Sequence, residues 1–156
     1  MKKSILLALL LLGSFCAIQS FAAAAKPDEV STALLKEWAS EKFGCKIDED
    51  GDLVVTKNSE IHVSVIAKAK VVRIYSIFDP YQKRSIAEMR ELANKFNYDK
   101  RFLRVSIGPD GDSVCDYYLI YDGGLDSANF LEALNWFFAL EKAWMNYVID
   151  GAPKTE

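Results

Sequence analysis

Leu53-Val54-Val55-Thr56-Lys57, Glu60-Ile61-His62-Val63-Ser64-Val65-Ile66-Ala67 and Val71-Val72-Arg73-Ile74-Tyr75-Ser76-Ile77-Phe78 are three closely spaced runs whose reading decides the fold class. All three are rich in β-branched residues, and in the second Ile61, Val63 and Val65 alternate with His62 and Ser64, the period of a half-buried strand. They read as three strands of an antiparallel meander. Upstream, Leu34, Leu35, Trp38, Ala39 and Phe43 recur at helical spacing between Asp28 and Phe43, so an amphipathic helix is expected there, stopped by Gly44. The acidic turn Asp48-Glu49-Asp50-Gly51-Asp52 then leads into the first strand.

Downstream, Pro80 breaks the third strand, and Ser85-Ile86-Ala87-Glu88 is a capping box that opens a second helix with the stripe Ile86, Met89, Ala93 and Phe96. A hairpin follows, Leu103 to Ile107 and Ser113 to Tyr121, turned by Pro109-Asp110-Gly111-Asp112. Gly123-Gly124 ends it, and Asp126 or Ser127 caps a long third helix reaching about Ile149. The order α-β-β-β-α-β-β-α has no βαβ alternation. It predicts an α+β fold in which an antiparallel sheet is covered by helices.

The chain has 156 residues, 51% of them hydrophobic, and a net charge of −3. These values suit one compact domain and exclude disordered, collagenous and repeat-array classes. The mild acidity argues against a dedicated nucleic-acid binder. At the start, Lys2 and Lys3 precede an apolar run from Ile5 to Leu12, and no charge follows through Ala25. That is the pattern of a secretory signal peptide, with small residues placed for cleavage after Ala22 or Ala24. Residues 1–24 are therefore expected to be a leader and residues 25–156 a single periplasmic or secreted domain, with no stable membrane span after cleavage. Cys45 and Cys115 then remain. They either close a loop of about 70 residues as a disulfide or pack as buried free thiols.

The third helix carries more apolar surface than one buried stripe requires. At about 100° per residue Phe130, Leu134, Phe137, Phe138, Trp144, Met145 and Val148 share one face, and Trp136, Leu140 and Tyr147 widen it. Trp136, Leu140, Trp144 and Tyr147 are the candidate interface residues, for a homodimer or a polypeptide partner. The alternative is that this helix is central and the surplus is core. Glu141 falls within the stripe, where a lone carboxylate needs a partner, and pairing with a Lys, Arg or Tyr at the rim is expected over a general-acid role.

No catalytic constellation stands out. The chain has one histidine, His62, on the polar side of its strand, and neither cysteine has a nucleophile's surround. One His and two distant Cys lack metal-site spacing. Placing Gly51 on the glycine of a calcium loop puts Lys46 and Lys57 at its first and last ligand positions, so that match fails. Nucleotide-binding glycine motifs are absent. The expectation is a non-enzymatic protein without cofactor or metal.

Leu92-Ala93-Asn94-Lys95-Phe96-Asn97-Tyr98-Asp99-Lys100-Arg101-Phe102, followed by Asp110-Gly111-Asp112, Gly123-Gly124 and the aromatic run Phe130 to Trp144, resembles the YbjN family of bacterial sensory transduction regulators. The likeness runs from about Leu34 to Tyr147. Its motif positions here are Asn94, Phe96, Asn97, Gly123 and Gly124, with Phe96 where the family often has Trp. The resemblance implies a fold like that of type III secretion chaperones, which tends to dimerise and to bind protein segments, and does not imply an enzyme. An exported polypeptide-binding or self-binding domain is thus the leading expectation. The alternative is a periplasmic inhibitor or sensor docking on an envelope protein through the charged loops Asp48 to Asp52 and Asp79 to Arg84.

Overall fold

The computed structural model describes residues 24–152, so residues 1–23 of the expected leader lie outside the described residues. The elements are α1 (Thr32–Ser40), β1 (Gly44–Ile47), β2 (Leu53–Thr56), β3 (Glu60–Ile66), β4 (Val71–Phe78), α2 (Ile86–Asp99), β5 (Arg104–Ile107), β6 (Ser113–Ile120) and α3 (Ser127–Asp150). All strand pairs are antiparallel, in the order β1-β2-β3-β4-β6-β5. Among the described residues no helix is long and apolar enough to cross a membrane.

The α+β layout stands, with one strand more than the sequence suggested. The additional strand is β1, a stretch the sequence leaves unassigned between Gly44 and the acidic turn, because Gly44-Cys45-Lys46-Ile47 has a single strong strand former. What makes it a strand is the turn after it. Asp48 Oδ1 accepts from the backbone N–H of Asp50 and of Asp52, at 3.1 and 2.9 Å, and the Asp48 N–H donates to Asp52 O at 3.0 Å. Gly51, at φ +85°, supplies the left-handed conformation that closes the hairpin. The same turn recurs between β5 and β6, where Gly108 N–H donates to Asp112 O and Gly111 sits at φ +91°. Ile47-x-x-Asp50-Gly51-Asp52 and Ile107-x-x-Asp110-Gly111-Asp112 are two copies of one hairpin signal.

Helix starts follow local chemistry. Ser31 caps α1 by accepting from Leu34 N–H, and Asp126 caps α3 by accepting from Asn129 N–H. Ser85 and Glu88 form the full capping box of α2. The helices pack on one face of the sheet. That face presents Leu53, Val55, Ile61, Val63, Val72 and Ile74, all fully buried. α3 contacts both α1 and α2, and aromatic pairs fill the seams: Trp38 with Phe130, Phe43 with Phe138, and Phe96 with Trp144 and Tyr147.

The opposite face is held by polar contacts. Tyr75 donates its hydroxyl to Asp52 Oδ2 at 2.9 Å, His62 stacks on the Tyr75 ring, and the Arg73 guanidinium lies 4.2 Å over that ring while pairing with Asp116. This network shields Val54, which stands opposite His62 in the register and is buried.

Two expectations meet the strand order here. Cys45 lies on β1 at one edge and Cys115 on β6, four strand spacings away, about 19 Å at about 4.8 Å per spacing. A disulfide needs Cα atoms within about 7 Å, so the possible Cys45 to Cys115 bridge is corrected: both are free thiols. Of the glycine pair, Gly124 is sterically required. It sits at φ +104°, and a Cβ there would lie 2.8 Å from Ala25 O. Ala25 and Leu125 exchange both backbone hydrogen bonds in an antiparallel bridge that fastens the N-terminal segment. A Cβ on Gly123 would meet nothing.

Candidate functional site

α3 divides along its length. Its C-terminal half is covered by α2, so Trp144 is fully buried and Tyr147 is 5% exposed. Phe96, the aromatic of the family motif, lies edge-on to both, with ring centroids at 5.5 and 5.0 Å. Tyr147 donates its hydroxyl to Asp99 Oδ2 at 2.7 Å. Trp144 and Tyr147 are therefore core residues and not members of an exposed interface. Helical angle could not separate Tyr147 from Trp136, since the two lie only about 20° apart at about 100° per residue, whereas Trp144 lies about 80° from Trp136 on the main stripe. The difference is axial: α2 reaches one half of α3 and not the other.

In the N-terminal half Trp136 is 56% exposed and Leu140 half-buried. They line a cleft of about 370 Å³ between α3 and the inner face of β6, with Tyr117 and Leu119 beneath and Phe102 across the mouth. The Phe102 and Trp136 rings stand 6.3 Å apart. Phe102 is 69% exposed, and sequence reasoning passed over it as a site residue because a loop position has no periodicity to betray its exposure. Its one signal was an aromatic directly after Lys100-Arg101. The cleft is apolar, with Asn129 and Glu132 as polar lining, a composition suited to an apolar side-chain cluster.

The motif asparagines divide too. Asn94 is exposed. Asn97 accepts from Val105 N–H at 2.7 Å and donates its amide to Val105 O at 2.8 Å, tying the end of α2 to the edge strand β5.

Glu141 is 3% exposed, and its bond is from the Ser59 hydroxyl to Oε2 at 2.8 Å. The expected Lys, Arg or Tyr partner is replaced by a serine from the β2–β3 turn. Burial pushes the Glu141 carboxyl above its ordinary value, partly offset by the Ser59 and Ser76 hydroxyls. Cys115, beside it, is pushed up to about 12 by burial and then by the Glu141 charge, and burial also raises the Cys45 thiol. Neither is a ready thiolate. His62 Nδ1 lies 3.4 Å from Asp48 Oδ2 on the outer face, away from both thiols. Among the described residues no group of three or more His, Cys, Asp or Glu could hold a metal ion.

A raised carboxyl in the folded state stabilises most when protonated. Its contribution is complete below the unfolded value near 4.5 and is lost as pH rises through the folded value. Glu141→Gln is expected to remove that loss, so urea denaturation should show the variant gaining on the wild type between pH 4 and 8. Parallel pH profiles would refute it.

The fold defines an α+β sandwich, a six-stranded antiparallel sheet with three helices on one side and an aromatic cleft beside the longest. The chain belongs to the YbjN family, whose model, described as "Putative bacterial sensory transduction regulator", matches residues 26–146. The structure is similar to a crystal structure of YbjN from E. coli, described as "a putative transcription regulator", with TM-score 0.56 and 11% identity over 77% of this chain and 89% of that one. It is similar also to a chain of the HopA1–SchA chaperone–effector complex, at TM-score 0.54 and 9% identity over 72% and 90% of the two chains. A third likeness is an uncharacterized protein from Methanothermobacter thermautotrophicus, at TM-score 0.58 and 14% identity over 78% and 98%. Among curated protein sequences none matches.

Proposed function

We propose that this YbjN-family protein is an exported, non-enzymatic binding domain that holds an apolar segment of a polypeptide partner in the cleft between α3 and β6. The observation that carries the reading is the exposed Phe102–Trp136 pair over about 370 Å³ of apolar space. Exposed aromatics at the mouth of a concave apolar site are the composition of binding hot spots. The chaperone–effector structure supports a polypeptide as the partner class. Self-association through the same aromatics is the second reading, carried by the exposure of Trp136.

Export is part of the proposal. The bridge supports cleavage after Ala22: it leaves a neutral amide at Ala25, whereas cleavage after Ala24 would put a charged ammonium on a residue only 9% exposed. Intact mass of the protein from the periplasmic fraction reads the position directly.

Affinity capture from envelope extract, with Trp136→Ala and Phe102→Ala beside the wild type, tests the cleft. Each variant is expected to lower recovery of a bound polypeptide at least tenfold, with an unchanged denaturation midpoint. Light scattering on the same samples separates a partner from a second copy. Recovery unaffected by both variants but lost on neutralising Asp48 to Asp52 would overturn the cleft and favour the charged loops.

A further inference from the structure

A second cleft, of about 330 Å³, adjoins the one beneath Trp136: Phe102, Leu103 and Tyr117 line both. The two differ in charge. Glu132 is the charged residue of the first, and Arg101, Arg104 and Asp116 are those of the second. Asp116 is neutralised by the Arg73 guanidinium on the neighbouring strand β4. Arg101 and Arg104 are exposed, and among the described residues neither forms an ion pair. Asn97 also lines the second cleft, but its amide is spent on Val105. What remains there is two guanidinium groups, which only donate, and the exposed Tyr118 hydroxyl.

The chain as a whole carries a net charge of −3, so two uncompensated positive charges beside its apolar cleft run against the general balance. They favour one local negative group over a polyanion, which the rest of the surface would repel. A carboxylate fits these donors, because a guanidinium fork takes both of its oxygens in parallel hydrogen bonds, and Arg is enriched at binding hot spots. Phe102, as a wall common to both clefts, limits how far apart the apolar and anionic groups of one ligand stand. Groups held against the two sides of one ring are about 7 Å apart at contacts of about 3.5 Å. Side chains two residues apart along an extended segment are separated by about the same 7 Å and point to the same side.

We propose that the polypeptide segment held beneath Trp136 carries an Asp or Glu within two residues of its apolar anchor, and that Arg101 and Arg104 bind that carboxylate. This rests on the reading of the Trp136 cleft as a polypeptide site and adds the charge that the segment must carry. Glu132, on the first cleft, repels an acid there, so the acidic flank has one place to lie.

Panning a phage-displayed random dodecapeptide library on the full mature protein, and in parallel on Trp136→Ala and on the double variant Arg101→Gln/Arg104→Gln, provides the test. The wild type is expected to enrich sequences with a large apolar residue and an Asp or Glu within two positions of it. The double variant should keep the apolar residue and lose the acid, and Trp136→Ala should enrich neither. In the strongest wild-type peptide, replacing the acid by its amide should weaken binding about fivefold at low ionic strength and make no difference at about 0.5 M salt, where exposed pairs are screened. Apolar enrichment that depends on Trp136 but carries no acid overturns this inference and leaves the cleft reading standing. An acid preference retained in the double variant overturns it too. No enrichment by the wild type, or enrichment unchanged in Trp136→Ala, overturns both. Should the double variant fail to fold, a wild-type peptide affinity indifferent to salt overturns the inference by itself.

Discussion

Asn97→Ala is expected to destabilise the protein by about 2–4 kcal/mol and to make it aggregate on refolding, although it removes only one half-buried polar side chain. β5 is an edge strand of four residues. Its hairpin is in register with Val105 opposite Cys115, between the Gly108 to Asp112 bond and the pair Arg104 to Asp116. The Val105 N–H and C=O therefore point away from β6, where an unpaired edge would offer them to another chain. The Asn97 amide takes both, at 2.7 and 2.8 Å, doing for β5 what a further strand would do. Truncation loses two hydrogen bonds, leaves two backbone groups unsatisfied and frees the edge. Asn97→Asp is the sharper variant. It keeps the acceptor for Val105 N–H but sets a carboxylate oxygen against Val105 O, so its stability should recover in acid, where the protonated carboxyl can donate again. Denaturation curves and turbidity during refolding check both. A midpoint for Asn97→Ala within about 0.5 kcal/mol of the wild type, with clear solutions, would sink the assignment.

What the sequence disclosed depended on whether a feature was local. β3 and β4 were legible because Ile61, Val63 and Val65 alternate with polar residues, and α2 because Ser85 and Glu88 carry the cap within four residues. β1 was not, since its pairing follows from the Asp48 turn and the strand across it rather than from its own propensity. The cysteine pair could not be decided because sequence spacing says nothing of strand order, and that order sets β1 and β6 four spacings apart. At the sites the division is similar. Trp136 and Leu140 stood out by helical angle, but Phe102 is a loop residue without a pattern. Glu141 showed as an anomaly on an apolar stripe, yet its partner Ser59 lies 82 residues away in sequence and had no local trace.

Trp144→Ala should cost about 3–5 kcal/mol, whereas Trp136→Ala, eight residues earlier on the same helix, should change stability by no more than about 0.5 kcal/mol. Trp144 is the largest fully buried side chain and meets Phe96 edge-on, so truncation opens a cavity between α2 and α3 that rigid aromatic neighbours cannot fill. Its indole Nε1 has no hydrogen-bond partner, so Trp144→Phe gives up volume but no bond and should cost distinctly less than Trp144→Ala. Trp136 has over half its surface in solvent and neighbours the still more exposed Phe102, so its removal uncovers little core. Denaturation and partner capture on both variants separate the two roles. Trp144→Ala should lose partner recovery only as it unfolds, and regain it on cooling below its midpoint; Trp136→Ala should lose recovery at every temperature while remaining folded. The reverse, a stable Trp144→Ala or an unfolded Trp136→Ala, would mean that α2 does not cover the C-terminal half of α3, and with that the separation of core from cleft on this helix would fail.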